Sequence, residues 1–217
     1  MAAKSLEQRV QRTEDILEIQ NIMGWYAYLV MAGMQGEISE RLFAKNEPGS
    51  RVTWGTAGYW DGADAPLKAK EALSGMGGPR SREGRMAVHV PLCPVIEVAG
   101  DGKTARGVWF SPGLLAMKND KTGKLNGVWE WDKYGVDFIK QDGKWKIWHH
   151  HIYSLLHWDI DLGWEASLKR PPLEGGGKMP TMDGDPYDNN PYTPDTVQEL
   201  LPRPPEPYET WDPNNRY

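Results

Sequence analysis

The first thirty residues carry apolar side chains at helical spacing. Apolar positions recur every three or four residues from Leu6 to Val30, and Ser5 with Gln8 forms the pattern of a capping box. The second half of the segment is apolar on nearly all sides, which favours a helix packed between other elements rather than laid on a surface. The pattern therefore predicts one long helix over residues 5–34.

The rest of the chain divides into a mixed segment and a segment of strands. Between residues 37 and 73 the pattern predicts, in order, a short helix at 37–44, a strand at 51–56, a turn at 59–62 and a helix at 66–73. Four alternating runs separated by clear turn signals then predict strands at 86–99, 104–117, 127–141 and 144–156. Helices followed by a curved antiparallel sheet indicate an α+β architecture.

The C-terminal residues differ in composition from the rest. Residues 171–217 hold 11 of the 17 prolines and nine acidic groups against three basic ones. Proline removes a backbone donor and fixes φ, so this segment is unsuited to regular core elements. We divide the chain into one domain over residues 1–165 and a Pro-rich acidic tail over residues 166–217. The tail is either partly disordered or an arm ordered against its own body or a neighbouring subunit.

Composition and charge exclude several classes of function. In residues 1–170, 22 basic and 21 acidic groups nearly cancel, so we expect no nucleic-acid partner. No run of 18 apolar residues occurs, so we expect no membrane span. The single cysteine, Cys93, excludes an intrachain disulfide framework. The first 20 residues lack the apolar segment of a secretory signal, and a cytoplasmic location is therefore expected.

The strongest local signal is the turn Asp142-Gly143 between two alternating runs, which predicts a hairpin with a fixed register. Regular alternation then places Val136 opposite His149 and Tyr134 opposite His151. One buried face would hold a cluster of titratable groups, with Glu130 as a further candidate: Asp132, Tyr134, His149, His151 and Tyr153.

An imidazole beside a carboxylate is the usual general acid or base near neutral pH. Two alternatives remain open: core histidines satisfied by their neighbours, and a metal site with His149 and His151 as two ligands. No further closely spaced His or Cys supports the metal, so we expect neither a metal nor a cofactor. On the opposite face the apolar side chains of Trp148 and Ile152 would be exposed to water unless another surface covers them. This favours a homo-oligomer, either a dimer or a trimer.

Three motifs carry a resemblance to a known family. They are Gly24-Trp25-Tyr26 at the end of the long helix, Pro94-Val95-Ile96-Glu97-Val98 before a Gly-Asp-Gly turn, and the run from Asp142 to His149. Over residues 5–160 the chain resembles the SnoaL-like branch of the nuclear transport factor 2-like (NTF2-like) superfamily. The resemblance implies a cone-shaped, strongly bent antiparallel sheet wrapped around the long N-terminal helix, with a pocket between them.

The same resemblance implies site residues. By position, Tyr26 matches the helical tyrosine of the scytalone dehydratase-like members, and His89 matches the histidine that precedes the Pro-x-Ile-x-Val strand. The aspartate that follows the tyrosine in those members is replaced by Met31, and their second histidine, expected at 109–111, is missing. Relatives also include bile-acid dehydratase-like and aromatic lyases, polyketide cyclases and isomerases, and many of them work without a cofactor.

We therefore expect a cofactor-independent lyase that performs dehydration or retro-aldol elimination on a bulky aromatic or polycyclic hydroxylated small molecule. His149 or His151, oriented by Asp132, would be the base. The donor to the leaving oxygen would be Tyr26, Tyr134 or His89. Flat apolar side chains suit a ring substrate, and the candidate substrate-binding residues are Trp25, Trp54, Trp60, Trp109, Trp131 and Tyr153. An isomerase or cyclase with the same pocket, or a non-catalytic ligand-binding or oligomerisation module, is the alternative.

Overall fold

The computed structural model describes residues 5–54, 57–74, 83–118, 122–169, 181–185 and 189–217. Helix α1 spans Leu6–Met31, and Ser5 caps it as the sequence predicts. The Ser5 hydroxyl accepts a hydrogen bond from the Gln8 backbone at 3.2 Å, and the Gln8 side chain accepts one from the Ser5 backbone at 2.9 Å. The side chains by which α1 enters the core include Ile19, Met23, Tyr26 and Val30.

In the described residues, three shorter α-helices, seven strands and a 3-10 helix at Pro213–Asn215 follow. The helices are α2 at Gln35–Leu42, α3 at Ala65–Ser74 and α4 at Trp164–Leu168. The strands are β1 at Arg51–Trp54, β2 at Gly58–Asp61, β3 at Met86–His89, β4 at Leu92–Val98, β5 at Thr104–Lys118, β6 at Leu125–Gln141 and β7 at Lys144–Asp159.

These bounds correct two predictions. The turn predicted at 59–62 belongs to strand β2, and α4 was not predicted. The single strand predicted at 86–99 is two strands, because Pro91 lacks the backbone donor that would continue the ladder. Arg51–Trp54 of the strand predicted at 51–56 are confirmed as a strand, and residues 55–56 lie outside the described residues.

The seven strands form one curved sheet in the order β2-β1-β7-β6-β5, with β3 and β4 both paired to β5. All pairs are antiparallel except β1 with β7, which is parallel. We call the face that packs on α1 the inner face and the opposite face the outer face. The chain is thus an α+β protein whose sheet curves around its long N-terminal helix.

A bulge in the β6–β7 hairpin changes which residues face α1. The register runs regularly from Gln141–Lys144 to Phe138–Ile147 and then shifts, so that Asp137 pairs with His149 and Val136 with His150. A shift of one residue moves every following side chain to the other face. The predicted register is therefore wrong beyond Ile147.

Residues 189–217 of the tail pack along the outer face, whereas Met182 belongs to the core and Thr181 accepts a hydrogen bond from Trp60 Nε1 at 3.1 Å. Backbone hydrogen bonds join Gly100 to Tyr208 and Tyr192 to Leu155, and the Trp211 ring lies 4.8 Å from that of Trp148. This part of the tail is therefore an arm that is ordered against the body of its own chain. The arm covers Trp148, and Ile152 faces inward and is buried, so the two residues that motivated the predicted oligomer are both covered within one chain. No helix in the described parts of the chain is long and apolar enough to cross a membrane.

Candidate active site

Polar side chains gather at one end of the inner face. Alternation along β6 places Glu130, Asp132 and Tyr134 there, and β3 adds His89 opposite Gly113 of β5. A second shift in the β6–β7 register, between Trp131 and Asp132, brings His157 opposite Glu130. The two bulges together build a cluster that regular alternation would not form.

Short contacts link these groups into a chain. His157 Nε2 lies 2.6 Å from Glu130 Oε1 and 2.8 Å from Ser154 Oγ. The Ser154 hydroxyl donates a hydrogen bond to Asp132 Oδ1 at 2.9 Å. On the other side of Glu130, His89 Nε2 lies 3.4 Å from Oε2. Ser154 thus connects His157 to Asp132 by hydrogen bonds.

A buried layer of rings adjoins this chain. The ring of His150 lies 4.9 Å from that of Tyr26 and 5.2 Å from that of Tyr134, measured between centroids. Burial lowers the pKa of His150 to about 3, so its imidazole is neutral at physiological pH. Its Nε2 atom is buried without a hydrogen-bond partner among the residues described.

The two carboxyl groups of the cluster titrate in opposite directions. Burial, reinforced by the charge of Glu130, raises the pKa of Asp132 to about 8. Burial would also raise the pKa of Glu130, but the hydrogen bond and charge of His157 hold it below its usual value. At pH 7 Asp132 is therefore a neutral acid beside an ionised Glu130.

The histidines and tyrosines complete this pattern of protonation. Burial lowers the pKa of His89, although Glu130 opposes the shift. Burial acts the same way on His157, but its hydrogen bond to Glu130 outweighs burial and raises its pKa. Burial and the nearby carboxylates raise the pKa values of Tyr26 and Tyr134, so both hydroxyls stay protonated. The cluster thus combines a neutral imidazole, a neutral carboxylic acid and two phenols.

The same groups include a possible set of metal ligands. Ligand atoms of His89, Glu130 and Asp132 all lie within 4.8 Å of one another. One imidazole and two carboxylates suit a divalent cation, provided that Asp132 gives up its proton. His157 already bonds one oxygen of Glu130, so a cation there would compete with that contact.

Four of the six predicted catalytic residues come together in this cluster: His89, Tyr26, Asp132 and Tyr134. The other two lie on the outer face, and their predicted inward orientation is wrong because the first bulge reverses it. His149 Nδ1 lies 2.9 Å from Asp137, and the ring of His151 stacks on that of Tyr153 at 4.0 Å.

The predicted substrate-binding aromatic residues are scattered. Trp109 lies on the inner face beside Tyr134, in contact with Phe138. Trp60 and Trp54 pack in or against the core, while Tyr153 lies on the outer face. Trp25 and Trp131 are half exposed.

Sequence reasoning missed three residues of the site: His150, Ser154 and His157. Regular alternation places His150 on the outward face, and His157 follows the strand predicted at 144–156. The one available signal was Glu130, which lies on the same face of β6 as Asp132 and needs a buried partner.

A curved sheet packed around a long N-terminal helix is the arrangement of an NTF2-like protein. The SnoaL-like domain profile matches residues 11–151, and the chain belongs to that family. No curated protein matches the chain by sequence.

Several solved structures share the fold. A candidate scytalone dehydratase from Novosphingobium aromaticivorans is 18% identical, with a TM-score of 0.52 over 77% of this chain and 100% of that one. A candidate NTF2-like dehydratase from Streptomyces avermitilis is 13% identical, with a TM-score of 0.52 over 67% and 99% of the two chains. A hexachlorocyclohexane dehydrochlorinase, LinA type 2, is 12% identical, with a TM-score of 0.50 over 72% and 93%.

Proposed function

We propose that this protein is a cofactor-independent lyase that eliminates water, or a comparable leaving group, from a hydroxylated small molecule at the inner-face cluster. One observation carries the proposal: a neutral imidazole, His89, and a neutral carboxylic acid, Asp132, have ligand atoms within 4.8 Å of each other. Titratable pairs whose pKa values are pushed apart in this way are typical of acid–base catalysis. The names of three structural neighbours, two candidate dehydratases and a dehydrochlorinase, describe eliminations.

In the proposed reaction, His89 removes a proton from the carbon beside the leaving group. The electron pair of that C–H bond forms the double bond, the C–O bond breaks, and Asp132 protonates the departing oxygen. Glu130 stabilises the imidazolium that forms on His89, since it lies 3.4 Å away. Return of the proton from His89 to Asp132 restores the site, so the elimination of water needs no oxidant or reductant.

The two buried phenols supply hydrogen bonds to the substrate. Tyr26 and Tyr134 stay protonated, so each can donate to a carbonyl or to a developing oxyanion. Their ring centroids lie 5.8 Å apart, and Trp109 adjoins Tyr134 in the sheet. These rings support a bulky aromatic or polycyclic substrate as the proposed class. A retro-aldol cleavage would use the same base and the same donors.

The test is turnover of a panel of aromatic β-hydroxy ketones, followed by mass spectrometry. A product lighter by one water supports the lyase. Asp132→Asn and His89→Gln should each lower the rate at least about 100-fold, while the outer-face variant His151→Gln stays near wild type. The rate should also fall above pH 8, where Asp132 loses its proton, and at acidic pH, where His89 gains one.

Three results would contradict the proposal. A product of unchanged mass would indicate an isomerase or cyclase. Ligand binding without turnover, insensitive to Asp132→Asn, would indicate a binding module. Loss of activity with a chelator, together with a bound metal that Asp132→Asn and His89→Gln each release, would indicate a metalloenzyme at the same cluster.

A further inference from the structure

The outer face carries a cleft that is separate from the inner-face cluster. It has a volume of about 370 Å³ and lies between strands β4 to β7 and residues 198–204 of the arm. The sheet supplies its floor through Val95, Val108, Phe110 and Leu155, and the arm supplies its roof through Leu200, Leu201, Pro202 and Pro204. A cleft of this volume is at the lower end of the range for small-molecule sites.

The mostly apolar lining of the cleft contains one cationic side chain, that of Lys133. Lys133 follows Asp132 in β6 and therefore points to the opposite face, into the cleft. Within the described ranges, the structure gives its ammonium no ion pair and no hydrogen bond. Burial lowers the pKa of Lys133, and no neighbouring acid opposes the shift. The remaining charged residue of the lining, Glu199, is exposed and does not pair with Lys133.

We propose that this cleft binds an amphipathic monocarboxylate, a medium-chain fatty acid or an arylalkanoic acid, with Lys133 as the counter-ion of its carboxylate. The apolar floor and roof would hold the hydrocarbon body, and the carboxylate would give Lys133 an ion-pair partner, which none of the described residues supplies. Phe110 and Val95 are half exposed at this site, so a bound chain would remove apolar surface from water.

The arm covers the sheet at this point, so the cleft is an enclosed site with two walls rather than an open sheet surface. Before the roof segment, the backbone of Tyr192 donates to the Leu155 carbonyl at 2.7 Å, and after it the backbone of Gly100 donates to the Tyr208 carbonyl at 2.9 Å. These contacts hold both sides of the roof segment against the sheet. The ligand would therefore enter a gap whose two walls belong to the same chain.

Calorimetric titration of the full chain with decanoate and with decan-1-ol tests the proposal. Decanoate should bind more tightly than the alcohol. Lys133→Met should weaken decanoate at least about tenfold and leave decan-1-ol unchanged, whereas Lys133→Arg should retain most of the affinity. Lys124→Met, an exposed lysine in the β5–β6 connection, is the matched control and should bind like wild type.

Two further variants keep the test falsifiable. Val108→Phe should fill part of the cleft and lower the affinity for both decanoate and decan-1-ol. Asp132→Asn should bind decanoate with wild-type affinity, since it changes only the inner face. The proposal is overturned if wild type does not bind decanoate or if Lys133→Met binds it equally well. Loss of binding in Asp132→Asn would place the ligand in the inner cluster instead. Sedimentation that shows a dimer unaffected by decanoate but broken by Val108→Phe would assign the cleft to a second copy of the chain.

Discussion

The two faces of the sheet each bury an aspartate beside histidines, but they neutralise it in different ways. On the outer face Asp137 is fully buried and accepts from three donors: Arg106 Nε at 3.1 Å, His149 at 2.9 Å and the Tyr217 backbone at 3.0 Å. On the inner face Asp132 accepts from Ser154 and faces the negative charge of Glu130. Asp137 is matched by positive charge, whereas Asp132 is held protonated.

This difference separates a structural network from a reactive one. Around Asp137 each donor has its acceptor, and His149 Nε2 also contacts the Gly49 carbonyl at 2.8 Å. On the inner face, His89 Nδ1 and His150 Nε2 are buried without partners in the described chain. Unsatisfied polar atoms and shifted pKa values concentrate at functional sites. In a fully satisfied network, no donor or acceptor is left to bond a substrate.

The largest expected effect on stability is that of Asp137→Asn. The substitution removes the negative charge that Arg106 and His149 share, and breaking a buried ion pair from one side costs about 3–5 kcal/mol. Urea unfolding at pH 7 should show this loss. The matched variant Asp132→Asn should lose little, because it replaces an acid that is already neutral at that pH. Equal losses in the two variants would show that the faces do not differ.

Most of the order of elements was predictable from the sequence because it depends on local signals, although strand β2 and helix α4 were not predicted. The capping box at Ser5 and the turn at Asp142-Gly143 each act over a few residues, and the structure has both where the pattern indicates them. The proline break at Pro91 is equally local. The parallel pairing of β1 with β7 was not predictable, since it joins segments about a hundred residues apart.

The site was only partly predictable because its geometry depends on two bulges. Alternation along β6 correctly placed Asp132 and Tyr134 on one face with Val136. Counting across the turn to β7 failed after Ile147, because an extra residue has no signature in a run of bulky side chains such as Trp148 to His151. The histidines that join the cluster are therefore His150 and His157 rather than His149 and His151.

The next prediction concerns the pH dependence of stability and compares His151 on the outer face with His157 on the inner face. Burial lowers the pKa of His151 to about 4, so between pH 6.5 and 4 the unfolded chain binds a proton that the folded chain does not. Its contribution to the free energy of unfolding thus falls on acidification, by up to about 1.4 kcal/mol per pH unit. The pKa of His157 is raised, so its contribution is fully present below pH 6.5 and is lost as the pH rises through the folded pKa.

Unfolding experiments on His151→Gln and His157→Gln between pH 8 and pH 4.5 measure these signs. Relative to wild type, His151→Gln should become more stable as the pH falls below 6.5. His157→Gln should become relatively less stable as the pH falls from 8 to 6.5. If both variants track wild type at a constant difference, neither imidazole has the protonation state that its surroundings indicate.

The smallest expected effect is that of Trp211→Ala in the arm. Its indole lies 4.8 Å from the ring of Trp148 and 5.6 Å from that of His149, so it covers the outer network without bonding to it. Losing the ring contacts should cost about 1 kcal/mol and increase amide exchange in β7 near His149. Trp129→Ala, a half-exposed indole on the same face, should change neither quantity. Turnover should stay at the wild-type rate in both variants, because the arm and the inner cluster lie on opposite faces of the sheet. A lower turnover rate in Trp211→Ala would contradict this. It would mean that the outer network helps to hold the β6–β7 bulge on which the inner cluster depends.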